Sequence, residues 1–247
     1  MNHLQALVNN ELWFSLGSAF NDPFDSKPPL FLASTDSLTK FIKSKTKTGI
    51  FFTEEEIVNH SNHLLEQYKN GEPIKALFDD LASPIMSVSA NTFILCFSKT
   101  YKNPLTWSHY SNSHSGFCIR YDLEKLLPNL ILITHGAVNY DNQIKDIFRD
   151  LDLDKSQEFV LSILMQKSVD WSYEEEYRFI LKDDSNSINN AFKCINHNKN
   201  AVDGIFFGLQ SSERDRNFLI NSLAGREIEY FYMNKSTSKF ELFETPI

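Results

Sequence analysis

Two strand-like runs limit what this chain can fold into. Residues 92–98, TFILCFS, are apolar almost without a break and are bounded by polar residues, the pattern of a buried strand. Residues 116–122, GFCIRYD, alternate instead, with Phe117, Ile119 and Tyr121 facing one way and Gly116, Cys118, Arg120 and Asp122 the other. Between the runs, Trp107, Ser108, His109, Tyr110, His114 and Gly116 crowd into ten positions. Aromatic and titratable side chains at that density, held between two strands, point to the wall of a site. Pro104 suits the first turn of a short helix, PLTWSHY.

The expected partner of this stretch is WSYEEEYR, residues 171–178. A strand over 175–181 would place Glu174, Glu176 and Arg178 on one face and Glu175, Tyr177 and Phe179 on the other. Three charges on one face cannot meet hydrocarbon alone. Arg178 can hold one carboxylate bidentately, and Arg120 can reach the other. The cluster is either a structural ion-pair network, or one glutamate stabilises positive charge or serves as a general base in a pocket. That pocket would hold Glu176 among Ser98, Trp107, His109, Tyr110, His114 and Arg178.

The rest of the chain reads in order. Residues 3–10 form a short helix stopped by tandem asparagines, and LWFS at 12–15 is a strand. In FNDPFD, residues 20–25, Pro23 holds Asp22 extended, Asn21 and Asp22 can bond nearby amides, and Phe20 and Phe24 anchor the loop. The loop is a rigid turn first. As a site loop it would bring Asn21, Asp22 and Phe24 to a ligand, close to WSHY. Helical patterns cover 34–87, including a Thr53/Glu56 capping box and a third helix at 73–88. Further strands fall at 130–134 and 137–140, with a turn at His135-Gly136, and residues 142–168 read as helix. Residues 183–186 form a turn, and strands follow at 191–195 and 203–207. Ser211 or Ser212 caps a helix to about residue 223, and Gly225 ends it. A terminal hairpin joins 227–233 to 239–243. The expected fold is a single α+β domain over 1–247, with a bent mixed β-sheet core, a helical insertion at about 34–88 and peripheral helices.

Composition excludes several classes. The net charge of -8 argues against strong electrostatic binding of nucleic acid, despite the cluster of Lys40, Lys43, Lys45 and Lys47. Cys96, Cys118 and Cys194 are odd in number and lack CxxC spacing, so neither a disulfide scaffold nor a zinc ribbon is expected. His109, His114 and Cys118 do not form a ligand set with metal spacing, and His60 with His63 has no HExxH companion, so no metal is expected. No apolar run approaches a membrane span, and the start lacks the features of a signal peptide, so the expected location is the cytoplasm. GxGxxG, Walker, GxSxG and HExxH motifs are all missing.

The order LWFS…FNDPFD, CFS, WSHYxxxHxGFCIxYD, Lys167, WxYExEYR and IxFG resembles the bacterial and phage-borne DUF2971 family, a domain of unknown function. Members carry a short Lys/Tyr/Arg segment before the first helix, where this chain starts. If that segment holds a catalytic arginine, the resemblance implies a shortened or defective member. Strand order and motif placement are in turn similar to ADP-ribosyltransferases, at the level of fold analogy. That similarity implies NAD as co-substrate and transfer of ADP-ribose to a protein or nucleic acid, as a toxin or phage-defence effector. Glu176, His109 and Ser98 would be catalytic. Asn21, Asp22, Phe24, Trp107, Tyr110, His114, Glu174 and Arg178 would bind substrate or cofactor. The competing readings are a non-catalytic binding module with a buried polar network, and a metal-dependent nuclease built on Asp22, Asp25 and Glu176.

Overall fold

The computed structural model describes residues 3–26, 35–46, 53–70, 92–143, 145, 155–182 and 191–247. The fold is α+β. In chain order the described strands are β1 Glu11–Leu16, β2 Thr92–Ser98, β3 Phe117–Tyr121, β4 Thr134–Ala137, β5 Asn139–Tyr140, β6 Gln166–Lys167, β7 Glu176–Lys182, β8 Phe192–Asn196, β9 Val202–Phe207, β10 Glu229–Lys235 and β11 Leu242–Pro246. The described α-helices are α1 His3–Val8, α2 Thr35–Thr46, α3 Glu54–Lys69, α4 Pro104–Tyr110, α5 Leu123–Leu126, α6 Ser156–Leu164 and α7 Glu213–Ser222. The chain gathers into two compact units.

The first unit takes Met1–Ser15, Phe93–Val138 and Asp170–Ile247. It contains a five-stranded sheet in the order β4-β7-β2-β1-β8 and a four-stranded sheet in the order β11-β10-β9-β3. In the second sheet, β9 runs parallel to β10 and antiparallel to β3. Period-two alternation explains how this sheet is buried on both faces. Ile205 and Phe207 of β9 join Leu7, Val202, Leu219 and Leu223 in one cluster, against which Phe117, Ile119 and Tyr121 pack. Phe206 points the other way, with Trp107, Met233 and Leu242, and Cys118 packs there. The two faces expected of residues 116–122 are thus both used.

The second unit takes Leu16–Thr92 and Asn139–Val169. Here α2 packs on α3, with Leu38 and Ile57 buried. The capping box forms as expected, since the Thr53 amide donates to Glu56 Oε2 at 2.7 Å and the Glu56 amide to Thr53 Oγ1 at 3.2 Å. The third helix of the expected insertion and the turn at 183–186 lie outside the described residues.

Several expectations are corrected. His135-Gly136 is not a turn but the middle of β4, where His135 pairs with Phe179 and Gly136 with Arg178. A ladder partner outweighs the local turn preference, and Ile131, in the run expected as a strand, is 89% exposed. The helix over 142–168 is described only at Ser156–Leu164, and Lys167 lies in β6, parallel to β5. The terminal hairpin is displaced toward the C-terminus, because Asn234 and Lys235 stay in register with Phe243 and Leu242. Cys96, within the run 92–98 expected as a buried strand, is exposed. Burial does push the Cys118 thiol up, to about 11, which disfavours a nucleophilic thiolate.

Candidate functional site

The site in the first unit is built on α4 and the 3-10 helix Val169–Glu174. Asn103 starts α4 by accepting from the Leu105 and Thr106 amides, and Pro104 fills the first turn. Trp107 then anchors the helix, 4% exposed, with Nε1 donating to the Tyr101 carbonyl at 2.6 Å. Two and three residues on, the exposed end of the helix carries His109 and Tyr110. The His109 ring lies 6.3 Å from Tyr110, 6.4 Å from Trp171 and 6.4 Å from Tyr173. Trp171 and Tyr173 are 6.1 Å apart. The Tyr110 hydroxyl donates to Glu174 Oε1 at 2.7 Å, so an exposed phenol holds a buried carboxylate. WSHY and WSYE, expected as partners, meet here.

The acidic triplet departs from its expected geometry. Glu174 ends the 3-10 helix, Glu175 has φ 45, and β7 begins only at Glu176. The left-handed residue breaks the alternation, so Glu174 and Glu176 are not strand neighbours on one face. Tertiary contacts hold the kink. Ser98 Oγ donates to the Glu174 carbonyl at 2.6 Å, and the Lys99 amide to the Glu175 carbonyl at 3.0 Å. Glu176 and Arg178 do share a face, with Arg178 Nε 2.6 Å from Glu176 Oε1 and Nη2 3.2 Å from Oε2. Both side chains are buried, at 4% and 0%. Arg120 does not serve this cluster. It pairs with Asp203 and Glu229 in the four-stranded sheet.

Other expected site residues take other places. The Ser98 hydroxyl binds the Thr100 and Glu174 carbonyls. His114 stacks on Trp107, at 6.5 Å and 9°, and sits in a loop with three successive left-handed residues, Asn112, Ser113 and His114. Gly208 admits that loop, since a Cβ there would collide with the His114 carbonyl. Asn21, Asp22 and Phe24 belong to the second unit. Asp22 is buried and accepts from the Phe24 amide at 2.9 Å, a local Asx turn. Phe24 is 69% exposed and does not anchor the loop, while the following Asp25 and Ser26 are buried. Asp25 accepts from Ser26 Oγ at 3.0 Å and lies 3.8 Å from Lys167 Nζ, with both charges buried. Lys167 was legible only as part of a motif, since a single lysine after an apolar helix carries no sign of burial.

Among the described residues no group of three or more His, Cys, Asp and Glu side chains is placed to hold a metal ion, and no helix is long and apolar enough to cross a membrane. A family model described as "Protein of unknown function (DUF2971)" matches residues 106–179. The match takes in WSHY, GFCIRYD, Lys167 and WSYEEEYR, while FNDPFD and the IxFG segment lie outside it. Neither a curated protein nor a solved structure matches the chain.

Proposed function

We propose that the protein uses the His109, Tyr110, Trp171 and Tyr173 rings to hold NAD and transfers its ADP-ribose to a protein or nucleic-acid acceptor. The carrying observation is a partly exposed aromatic cluster beside a buried carboxylate fixed by a phenol. Aromatic faces stack planar rings. In the reaction the ribose C1′–N bond breaks and its electron pair leaves with nicotinamide. The acceptor's nucleophile bonds to C1′ and loses its proton to His109, the exposed imidazole of the cluster. Glu174 stabilises the oxocarbenium-like charge at C1′, in a low-dielectric position where a fixed carboxylate acts most strongly. Glu176, whose two oxygens face Arg178, is a positioning residue in this scheme. A cytoplasmic toxin or phage-defence effector is the biological setting that fits.

Adenine-labelled NAD incubated with the chain and a cell lysate tests the scheme. The expected result is nicotinamide release and a labelled acceptor, both abolished in Glu174→Gln at unchanged melting temperature. Neither release nor label would sink the transferase reading. The engagement of Ser98 with backbone carbonyls favours a second reading, a binding module in which the rings hold a ligand without turnover. Quenching of Trp171 fluorescence by NAD without product would select it.

A further inference from the structure

We propose that Tyr177 is a modification site of this chain, a nucleophilic phenol that takes ADP-ribose with His135 as its general base. The donor is NAD, so the proposal rests on the transferase reading and names an acceptor for it.

The pair stands where β4 closes the five-stranded sheet. In the antiparallel register His135 lies opposite Phe179 and Tyr177 opposite Ala137, so His135 and Tyr177 are diagonal neighbours on one face. His135 Nδ1 and the Tyr177 hydroxyl are 2.7 Å apart. The Phe179 ring, 1% exposed, meets both rings edge-on, at 5.7 Å from His135 and 6.0 Å from Tyr177. A buried anchor thus holds base and nucleophile together. His135 is exposed, Tyr177 is half-buried, and no described strand lies beyond β4 in this sheet, so the pair is open to a soluble electrophile.

Among the described residues His135 is the one hydrogen-bond partner of this phenol. The hydroxyl proton therefore points to Nδ1, and the ring proton sits on Nε2. Other phenols meet carboxylates. Tyr101 donates to Glu244 at 2.8 Å and Tyr110 to Glu174 at 2.7 Å. A carboxylate is a weaker base than an imidazole by about two pKa units. Its negative charge also opposes a phenolate, and burial followed by Glu244 pushes the Tyr101 phenol up. At Tyr177 proton transfer instead gives a phenolate beside an imidazolium, two opposite charges. A nucleophile and base within about 2.6–3.2 Å, with the base held by a third group, is the arrangement of an activated nucleophile.

In the step, Tyr177 Oη bonds to the ribose C1′ as the C1′–N bond breaks and its electron pair leaves with nicotinamide. The phenolic proton passes to His135 Nδ1 and then to water. This acceptor brings its own base.

The full chain incubated with adenine-labelled NAD, without lysate, and mapped by peptide mass spectrometry tests this. The expected result is ADP-ribose on Tyr177. Tyr177→Phe should lose that label while nicotinamide release continues. His135→Gln still accepts the phenol's hydrogen bond but cannot take its proton, and should label Tyr177 at least about 100-fold more slowly at a parental melting temperature. An arylsulfonyl fluoride tests the nucleophile without NAD, since the phenol oxygen bonds to sulfur and fluoride leaves. It should modify Tyr177 before Tyr110 and Tyr232, both classed as more exposed. Nicotinamide release with no label on Tyr177 would overturn the acceptor and leave the transferase reading standing. No release at all would remove both. Sulfonylation of Tyr177 no faster than of Tyr110 and Tyr232, or equal labelling in His135→Gln, would overturn the role of His135.

Discussion

Glu174 and Glu176 stand two residues apart and meet different neighbours. Glu176 faces a guanidinium buried at 0% exposure and holds it through both of its oxygens. Glu176→Gln should therefore lower stability by about 3–5 kcal/mol, the range for breaking one side of a buried pair. Urea unfolding checks it, and a parental midpoint would show that Arg178 finds another acceptor. Tyr110→Phe leaves Glu174 Oε1 without its phenol, and should cost about 1–3 kcal/mol while raising the ligand Kd of the aromatic cluster. The residue types of this site were legible in WSHY and WSYEEEYR. Their facing was not. Parity along a strand is a sound guide only while φ stays extended, and nothing in the sequence marks Glu175 for φ 45. The kink is imposed by Ser98 and Lys99, which lie far away in sequence.

At the scale of elements, two glycines separate crowding from backbone strain. Gly225 ends the α7 segment with φ 82 and has nothing within reach of a Cβ, so Gly225→Ala should cost only the left-handed penalty of about 1–2 kcal/mol. At Gly208 the obstacle is the His114 carbonyl together with the Gly116 carbonyl, to which the Gly208 amide donates at 2.9 Å. Backbone cannot rotate aside as a side chain can. Gly208→Ala should cost about 1–3 kcal/mol and shift the amide resonances of residues 111–116, whereas Gly225→Ala should leave those resonances in place. Elements with strong local signals were legible, among them α4 with Pro104, the capping box of α3 and the alternation of β3. Strand β4 was misread because Gly136 and His135 look like a turn until Arg178 and Phe179 are placed beside them. The boundaries of the two units were also hidden, since two of the four fall within β1 and β2, one within the 3-10 helix Val169–Glu174, and no linker composition marks them.

Across the whole molecule, α+β character follows from interleaved periodicities, and global stability carries one pH dependence that the sequence could not show. His197 lies between β8 and β9, 7% exposed, and its amide donates to the Asn10 carbonyl at 2.9 Å. Its Nδ1 lies 2.8 Å from the Asn198 carbonyl, which places the proton there and leaves Nε2 buried without a partner. The Tyr121 ring meets it edge-on at 5.4 Å. Burial is the main force holding the imidazole below its ordinary value, the Asn198 carbonyl opposes it, and the Arg226 charge adds to the lowering. The unfolded chain takes up this proton near pH 6.5, and the folded chain only at lower pH. The stabilisation is therefore complete above about pH 6.5 and is lost as pH falls through the folded value. Carboxylates such as Asp122, lowered chiefly by its hydrogen bond from Lys125, lose their share in a more acidic window, below the ordinary value of about 4. Urea midpoints measured from about pH 7.5 down to about pH 5 should fall for the parent. His197→Asn retains an N–H for Asn198 and cannot take the proton. It should start less stable, through lost packing, and decline less over the same range. An equal decline in the two proteins would move the titrating group away from His197.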